Sequence, residues 1–287
     1  MAGHGGVSRS FIQIFHMALR HYLKSGSPGL EDFLMSEIPE LSIVIPALGE
    51  AENLKLLLPE LHKELKEIGI AFEILVVDNG APDETENVCR QFGATLHTQE
   101  EKGYGGALRT GFRNGRGKLI LTLDADLSHP PKFIGQMTQA AAHSDLVIAS
   151  RYVAGGSAEM PATRWLLSRI LNFTFGWIFA VPVLDLSSGY RIYRKELVEQ
   201  INPVATNFDI LQEILLRAVA IGLKVQEVPF QYSARHSGRS NAKLIAFGWS
   251  YLKTLVMMYS LKKKFLFSPY LMLYPLCDTY PNTPDTR

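Results

Sequence analysis

Two carboxylates one residue apart, Asp124 and Asp126, close an apolar run, Leu119-Ile-Leu-Thr-Leu, and are followed by Leu-Ser-His and the stop Pro130-Pro131. The pattern reads as a buried strand that delivers an Asp-x-Asp pair to its carboxyl end, where open α/β sheets place their ligands. Hard carboxylate oxygens at this spacing suit Mg²⁺ or Mn²⁺, usually held by one or two carboxylates together with substrate phosphates. Asp124 and Asp126 are the candidate metal ligands, and a nucleotide diphosphate is the natural third party. By itself such a pair is equally the solvated end of an ordinary strand.

Two further strand ends carry polar residues. One reads Pro46-Ala47-Leu-Gly49-Glu50 and the other Asp78-Asn79-Gly-Ala81. Adjacent strand ends backed by helix N-termini form a cradle for a nucleoside, although Glu50, Asp78 and Asp83 also suit turns and first helical turns. The basic candidates are Arg151 after a strand, Arg191 in Ser188-Gly-Tyr-Arg, and Arg235, Arg239 and Lys243 in one loop. Arginine forks match phosphate oxygens in bidentate fashion. A solvated loop is the plainer account of the last three.

The elements that must position these groups follow from periodicity. From residue 41 to about 151, short β-branched runs alternate with helical patterns, the mark of βαβ units and a mainly parallel sheet. Strands are expected at Leu41 to Pro46, Phe72 to Asp78, Thr95 to Thr98, Leu119 to Leu123 and Leu146 to Ser150. Helices are expected at Ala51 to Ile68, Asp83 to Phe92, Tyr104 to Arg113 and Pro131 to Ala142. Asp83 with Glu86 three residues on fits a capping box. Further on come an aromatic-rich helix from Arg164 to Phe179, a strand-like Ser188 to Tyr193, a helix from Phe208 to Ile221, a strand from Lys224 to Pro229, and a last helix from about Ala242 to Lys262. Four parts are expected: an extension over 1–38, the α/β domain over 39–235, a basic loop with an amphipathic C-terminal helical segment over 236–264, and an irregular tail over 265–287.

With 287 residues, 47% hydrophobic and 20% charged, the chain can bury a large core. Its net charge of +1 gives no global electrostatic case for nucleic acid. Two cysteines, Cys89 and Cys277, make neither a disulfide framework nor a metal-ligand pair, so a reducing cytosol is the default. Cys89 reads as a small buried apolar residue, and His129 as a structural hydrogen-bond partner. No stretch has the roughly 18 to 20 unbroken apolar residues of a membrane span: Phe173 to Leu184 is broken by Gly176 and Pro182, and Phe265 to Cys277 by Pro269 and Pro275. Initiation at Met35 would lose nothing interpretable.

Taken in order, Ser-Ile-Val-Ile-Pro46-Ala-Leu-Gly-Glu50-Ala-Glu-Asn-Leu, Glu-Ile-Leu-Val-Val-Asp78-Asn-Gly, Lys102-Gly-Tyr-Gly-Gly-Ala-Leu, Asp124-Ala125-Asp126-Leu-Ser-His-Pro-Pro, Ser150-Arg151-Tyr-Val-Ala-Gly-Gly, Asp185-Leu-Ser-Ser188-Gly-Tyr-Arg191-Ile-Tyr-Arg and Val225-Gln-Glu-Val-Pro-Phe resemble the inverting glycosyltransferases of family 2 with a GT-A fold. Within them they resemble the dolichyl- or polyprenyl-phosphate sugar synthases. The likeness runs from residue 41 to about 245. It implies a GT-A (Rossmann-like) sheet flanked by helices and a nucleotide-sugar donor, GDP-mannose first and UDP-glucose next. It places Pro46, Ala47, Glu50, Asp78, Asn79, Lys102, Asp124, Ala125 and Asp126 around that donor, with Mg²⁺ or Mn²⁺ on Asp124 and Asp126. It implies catalytic roles for Asp126, Arg151 and Arg235, and a polyprenyl-phosphate acceptor held by Arg151, Ser188, Arg191, Arg235 and Lys243.

Three departures from the family pattern stand out: Gly49 where relatives usually have Asn, Asn79 and Ala81 where they have a second acidic residue and a serine, and Ser128 where they often have Gln. The first two leave the choice of GDP or UDP open. The third leaves fewer protein ligands for a metal.

A phosphate acceptor is already an anion near neutral pH and needs no general base. A hydroxyl acceptor would need one, and Asp209, four residues before Glu213 on one helix face, is the candidate. A nucleotide-sugar binding protein without catalysis is the third reading. The last helix, with Trp249, Tyr251 and Lys262-Lys-Lys264, and the aromatics Phe173, Phe175, Trp177 and Phe179 suit either a packed core or a peripheral position at the cytoplasmic membrane face.

Overall fold

The computed structural model describes residues 38–80, 83–233 and 259. The expected last helix, Arg235, Arg239 and Lys243 lie outside them. Strand β1 (Leu41–Ala47), helix α1 (Ala51–Ile68), β2 (Phe72–Asp78), α2 (Thr85–Gln91), β3 (Thr95–Thr98), α3 (Tyr104–Asn114) and β4 (Leu119–Thr122) alternate as the periodicity predicts. A 3₁₀ turn (Pro131–Phe133) leads into α4 (Ile134–Ala141) and β5 (Leu146–Ser150). Then follow β6 (Ser157–Ala158), α5 (Ala162–Phe179), β7 (Arg191–Arg194), α6 (Lys195–Ile201), α7 (Asp209–Ala220), β8 (Val225–Pro229) and β9 (Gln231–Tyr232).

Seven strands form one sheet in the order β3-β2-β1-β4-β7-β5-β8, and β6 pairs with β9. Every neighbour pair in the large sheet is parallel except those of β7, which runs antiparallel to both β4 and β5. Because successive side chains point to opposite faces, β1 feeds two cores. Ile43 and Ile45 pack with Leu54, Leu57 and Leu61 of α1 and Met137 of α4. Val44 packs on the other face with Leu108 and Phe112 of α3 and Ile210 and Ile214 of α7. Burial on both faces is why these strands are continuous apolar runs rather than alternating ones.

Two local expectations are corrected. Asp83 accepts the N–H of Thr85 at 2.9 Å rather than that of Glu86, and Glu86 pairs with Arg90 one turn on, so there is an Asx-type bond and no capping box. The aromatics of α5 do not form one surface. Phe175 and Phe179 are buried, whereas Phe173 and Trp177 are exposed. Residues two apart on a helix lie about 200° apart.

Candidate active site

The chain moves outward from β1 through β2 to β3, then returns to the other side of β1 with β4, so the β1/β4 boundary is a topological switch point. Register aligns the exits of the three strands there. Ala47 pairs with Asp78, Thr122 pairs with Val44, and the Leu123 N–H donates to the Val44 carbonyl at 3.2 Å. Pro46, Ala47, Glu50, Asp78, Asn79, Asp124, Ala125 and Asp126 therefore share one edge of the sheet. The exposed Lys102 precedes α3.

On the β1 side, Gly49 has φ +67. This left-handed backbone is tolerated by glycine and by asparagine, so the exchange of Asn for Gly at this position meets a backbone demand. The Glu50 carboxylate accepts the Asn53 side-chain amide at 2.5 Å, and Asp78 Oδ2 accepts the Gly80 N–H at 3.0 Å, shaping the loop beyond β2.

On the β4 side, the Asp-x-Asp turn is held from three directions. Asp126 Oδ1 accepts both the N–H and the hydroxyl of Ser128, at 3.1 and 2.5 Å. Ser128 thus orients a carboxylate. Between them Leu127 sits at φ +64, a strained backbone for a branched side chain, of the kind that clusters at functional sites. The Asp124 N–H donates to His129 Nδ1 at 3.0 Å, and Tyr104 Oη donates to Asp124 Oδ1 at 3.3 Å. Burial pushes the His129 imidazole below its ordinary range despite the nearby Asp124 and Asp126, which fits a neutral ring accepting at Nδ1. His129 is the structural partner that its position suggests, and its ring stacks on Tyr190. Cys89 is buried, and burial pushes its thiol up to about 11.

The basic set is reassigned in part. Arg191 is fully buried, and its guanidinium donates to the carbonyls of Ser188, Leu211 and Leu186, each at 2.7 Å. Ser188 is buried as well, its hydroxyl accepting the Tyr190 N–H at 3.3 Å. These two residues build the loop before β7 and tie it to α7, so their side chains are engaged inside the protein rather than presented at its surface. Arg151 makes a two-pronged ion pair with Asp185, Nε to Oδ2 at 2.8 Å and Nη2 to Oδ1 at 2.7 Å, and also reaches the Ser187 hydroxyl at 2.8 Å. Burial opposes ionisation of Asp185, but the charge and hydrogen bonds of Arg151 outweigh it and hold the carboxyl below the ordinary range. Sequence reading missed Asp185 as this partner and Tyr104 as the neighbour of Asp124. The first signal was a lone acidic residue opening the Asp185-Leu-Ser-Ser motif; the second was a tyrosine at the start of a glycine-rich helix. Asp209 begins α7 and accepts the Asn207 N–H at 3.2 Å, while Glu213 is buried against Arg217 and the Val204 and Ala205 N–H groups.

Among the described residues, no group of three or more His, Cys, Asp or Glu side chains could hold a metal ion. Two carboxylates at a strand end are what remains, and they fit a hard divalent cation whose other ligands are phosphate oxygens and water.

An antiparallel strand set within an otherwise parallel sheet, with paired aspartates at the switch point, defines a glycosyltransferase-type α/β domain of the GT-A kind. The structure superposes on glucosyl-3-phosphoglycerate synthase from Mycobacterium tuberculosis, crystallised with Mn²⁺, UDP and glucosyl-3-phosphoglycerate, with a TM-score of 0.62 at 20% identity, covering 76% of this chain and 79% of that one. Residues 42–201 match the family model for glycosyl transferase family 2, and the chain belongs to that family. It is 35% identical over 216 residues to the dolichol-phosphate mannosyltransferase of Pyrococcus furiosus, a match covering 71% of this chain and 59% of that enzyme. It is 34% identical over 215 residues to the polyprenol monophosphomannose synthase of Mycolicibacterium smegmatis, covering 69% of this chain and 79% of that one. The chain thus spans less than two thirds of the length of the Pyrococcus enzyme.

Proposed function

We propose that this protein moves a hexose from a nucleotide-diphosphate sugar to a polyprenyl phosphate with inversion, mannose from GDP-mannose being the first donor to test and glucose from UDP-glucose the second. The observation that carries this reading is the oriented Asp124/Asp126 pair, beside Asp78 and Glu50, in a chain that is 35% and 34% identical, over 216 and 215 aligned residues, to two enzymes named for such transfers.

In this reading Glu50, Asp78 and Asn79 flank the nucleoside, and Asp124 and Asp126 would hold Mg²⁺ or Mn²⁺ with the diphosphate. When bound, the cation screens the departing diphosphate and stabilises it as a leaving group. Asp126 contributes through its fixed orientation, since Ser128 holds Oδ1 before any ligand arrives. In this reading Arg151, beyond β5 and held rigid by its ion pair with Asp185, offers guanidinium N–H groups to the acceptor phosphate, and Arg235 and Lys243 of the following segment supply the unbalanced positive charge. The acceptor phosphate attacks as an anion, so the protein's task is alignment and charge screening rather than proton abstraction.

A peripheral position at the cytoplasmic membrane face is part of the proposal. Leu166, Ile170, Phe173 and Trp177 recur at intervals of four, three and four along α5 and are all exposed, and the helix carries Arg164 and Arg169 but no Asp or Glu. Such a face suits an anionic lipid surface. No helix among the described residues is long and apolar enough to cross a membrane.

The hydroxyl-directed alternative keeps one observation in its favour. Asp209 follows Phe208, which stacks on Tyr104 next to Asp124. The deciding experiment incubates the protein and Mn²⁺ with radiolabelled GDP-mannose or UDP-glucose, with and without a short polyprenyl phosphate, and follows label into the organic phase. Label that is lost in Asp126→Ala and kept in Asp209→Asn is the expected result. Label that reaches product without polyprenyl phosphate and is lost in Asp209→Asn would move the reading to a hydroxyl acceptor, and nucleotide-sugar binding without product would leave a binding protein.

A further inference from the structure

Tyr104 opens α3 one residue after Gly103, and its hydroxyl reaches across to Asp124 Oδ1 at 3.3 Å. Its ring stacks on Phe208 with centroids 4.3 Å apart and planes 16° from parallel. Phe208 is 57% exposed, and its contact with Tyr104 gives this surface aromatic a structural partner. The loop between α6 and α7 is docked onto the start of α3 at the same place, since the N–H groups of Gly105 and Gly106 donate to the Thr206 carbonyl at 2.8 and 3.2 Å.

The opposite side of the hydroxyl is closed by Gly189. A Cβ at that position would lie 2.6 Å from Tyr104 Oη and 3.6 Å from Asp124 Oδ1. The Gly189 carbonyl is in turn pinned by the Thr122 hydroxyl at 2.7 Å, from the last residue of β4. A hydroxyl therefore sits in a slot that only glycine leaves open, between the backbone before β7 and one carboxylate of the Asp-x-Asp pair. The ring of Tyr104 packs against the core beneath α3 and stacks on Phe208, so the ring and the hydroxyl have separate partners.

We infer that Tyr104 is a positioning residue for the cation–diphosphate site: its hydroxyl sets the Asp124 carboxylate, Phe208 holds the ring from the acceptor side, and Gly189 gives the hydroxyl its place. The inference rests on the reading that Asp124 and Asp126 hold a divalent cation with a nucleotide.

The test is Mn²⁺ binding rather than turnover. Free Mn²⁺ is followed by electron paramagnetic resonance during titration with GDP or UDP present, and nucleotide affinity without metal is measured by calorimetry. In Tyr104→Phe, which keeps the stack on Phe208, Mn²⁺ affinity should fall about tenfold while metal-free nucleotide affinity stays unchanged. Gly189→Ala should weaken Mn²⁺ binding comparably in the wild-type background. The same change should cost little more in the Tyr104→Phe background, where the clash with the hydroxyl no longer exists. Unchanged Mn²⁺ affinity in folded Tyr104→Phe or in Gly189→Ala, or an equal loss of metal-free nucleotide binding, overturns the inference alone. A wild-type protein that binds neither Mn²⁺·GDP nor Mn²⁺·UDP overturns the underlying reading and the inference with it.

Discussion

Arg151 and Asp185 show how a charged residue in a sequence motif can serve the fold before it serves a ligand. The Arg151 side chain is 11% exposed and that of Asp185 is fully buried, so the pair is removed from water and held by two guanidinium bonds and one from the Arg151 backbone N–H. Removing one partner of such a pair leaves an uncompensated buried charge. Asp185→Asn should therefore lower unfolding stability by about 3 kcal/mol at pH 7, measured by urea denaturation. The pH dependence has a definite sign. The folded carboxyl titrates below its unfolded value of about 3.9, so its contribution is complete above that pH and is lost as pH falls through the depressed folded value. The gap between wild type and Asp185→Asn should accordingly narrow below about pH 4. A gap that stays constant down to the acid transition would mean that the pair is not what stabilises this loop. Arg191 makes the companion point, because a motif reading assigns its charge to a phosphate whereas three carbonyls consume it inside the protein.

Helix α5 separates packing from surface within a few residues. Phe175→Ala should cost about 3–5 kcal/mol, as deletion of a buried aromatic does. The exposed pair Phe173→Ser/Trp177→Ser should change stability by no more than about 0.5 kcal/mol per site, yet abolish cosedimentation with vesicles of anionic phospholipid. Vesicle binding that survives the double substitution would remove α5 from the membrane reading. At this scale the strands and helices up to β5 were legible almost to the residue, because strands buried on both faces and helices with a 3.6-residue apolar stripe have distinct signatures. What periodicity does not encode is direction. Ser188 to Tyr193 reads as strand-like and the strand forms at Arg191–Arg194, but its antiparallel insertion between β4 and β5 depends on where the chain re-enters the sheet after α5, a long-range matter that no local pattern carries.

Across the whole molecule the candidate site joins two halves of the sheet, with Glu50 and Asp78 from the β1–β2 side and Asp124, Asp126 and Gly189 from the β4–β7 side. The strand-end carboxylates were legible because each ends an apolar run. The Tyr104 slot was not, since it arises only when the start of α3, the end of β4 and the approach to β7 meet in space. A ligand that bridges the halves binds the folded state alone and must stabilise it by mass action. A nucleotide with Mn²⁺ at about one hundred times its dissociation constant should add about 2.7 kcal/mol, which raises the thermal midpoint by roughly 5–10 °C in a domain of this size. The shift should need both components, because Asp124 and Asp126 without a cation would repel the diphosphate. It should fall to the metal-free level in Asp126→Asn, and the larger of the GDP and UDP shifts identifies the base. An equal shift from nucleotide without metal would show that the carboxylate pair takes no part in holding the diphosphate, and would return Asp124 and Asp126 to the role of a solvated strand end.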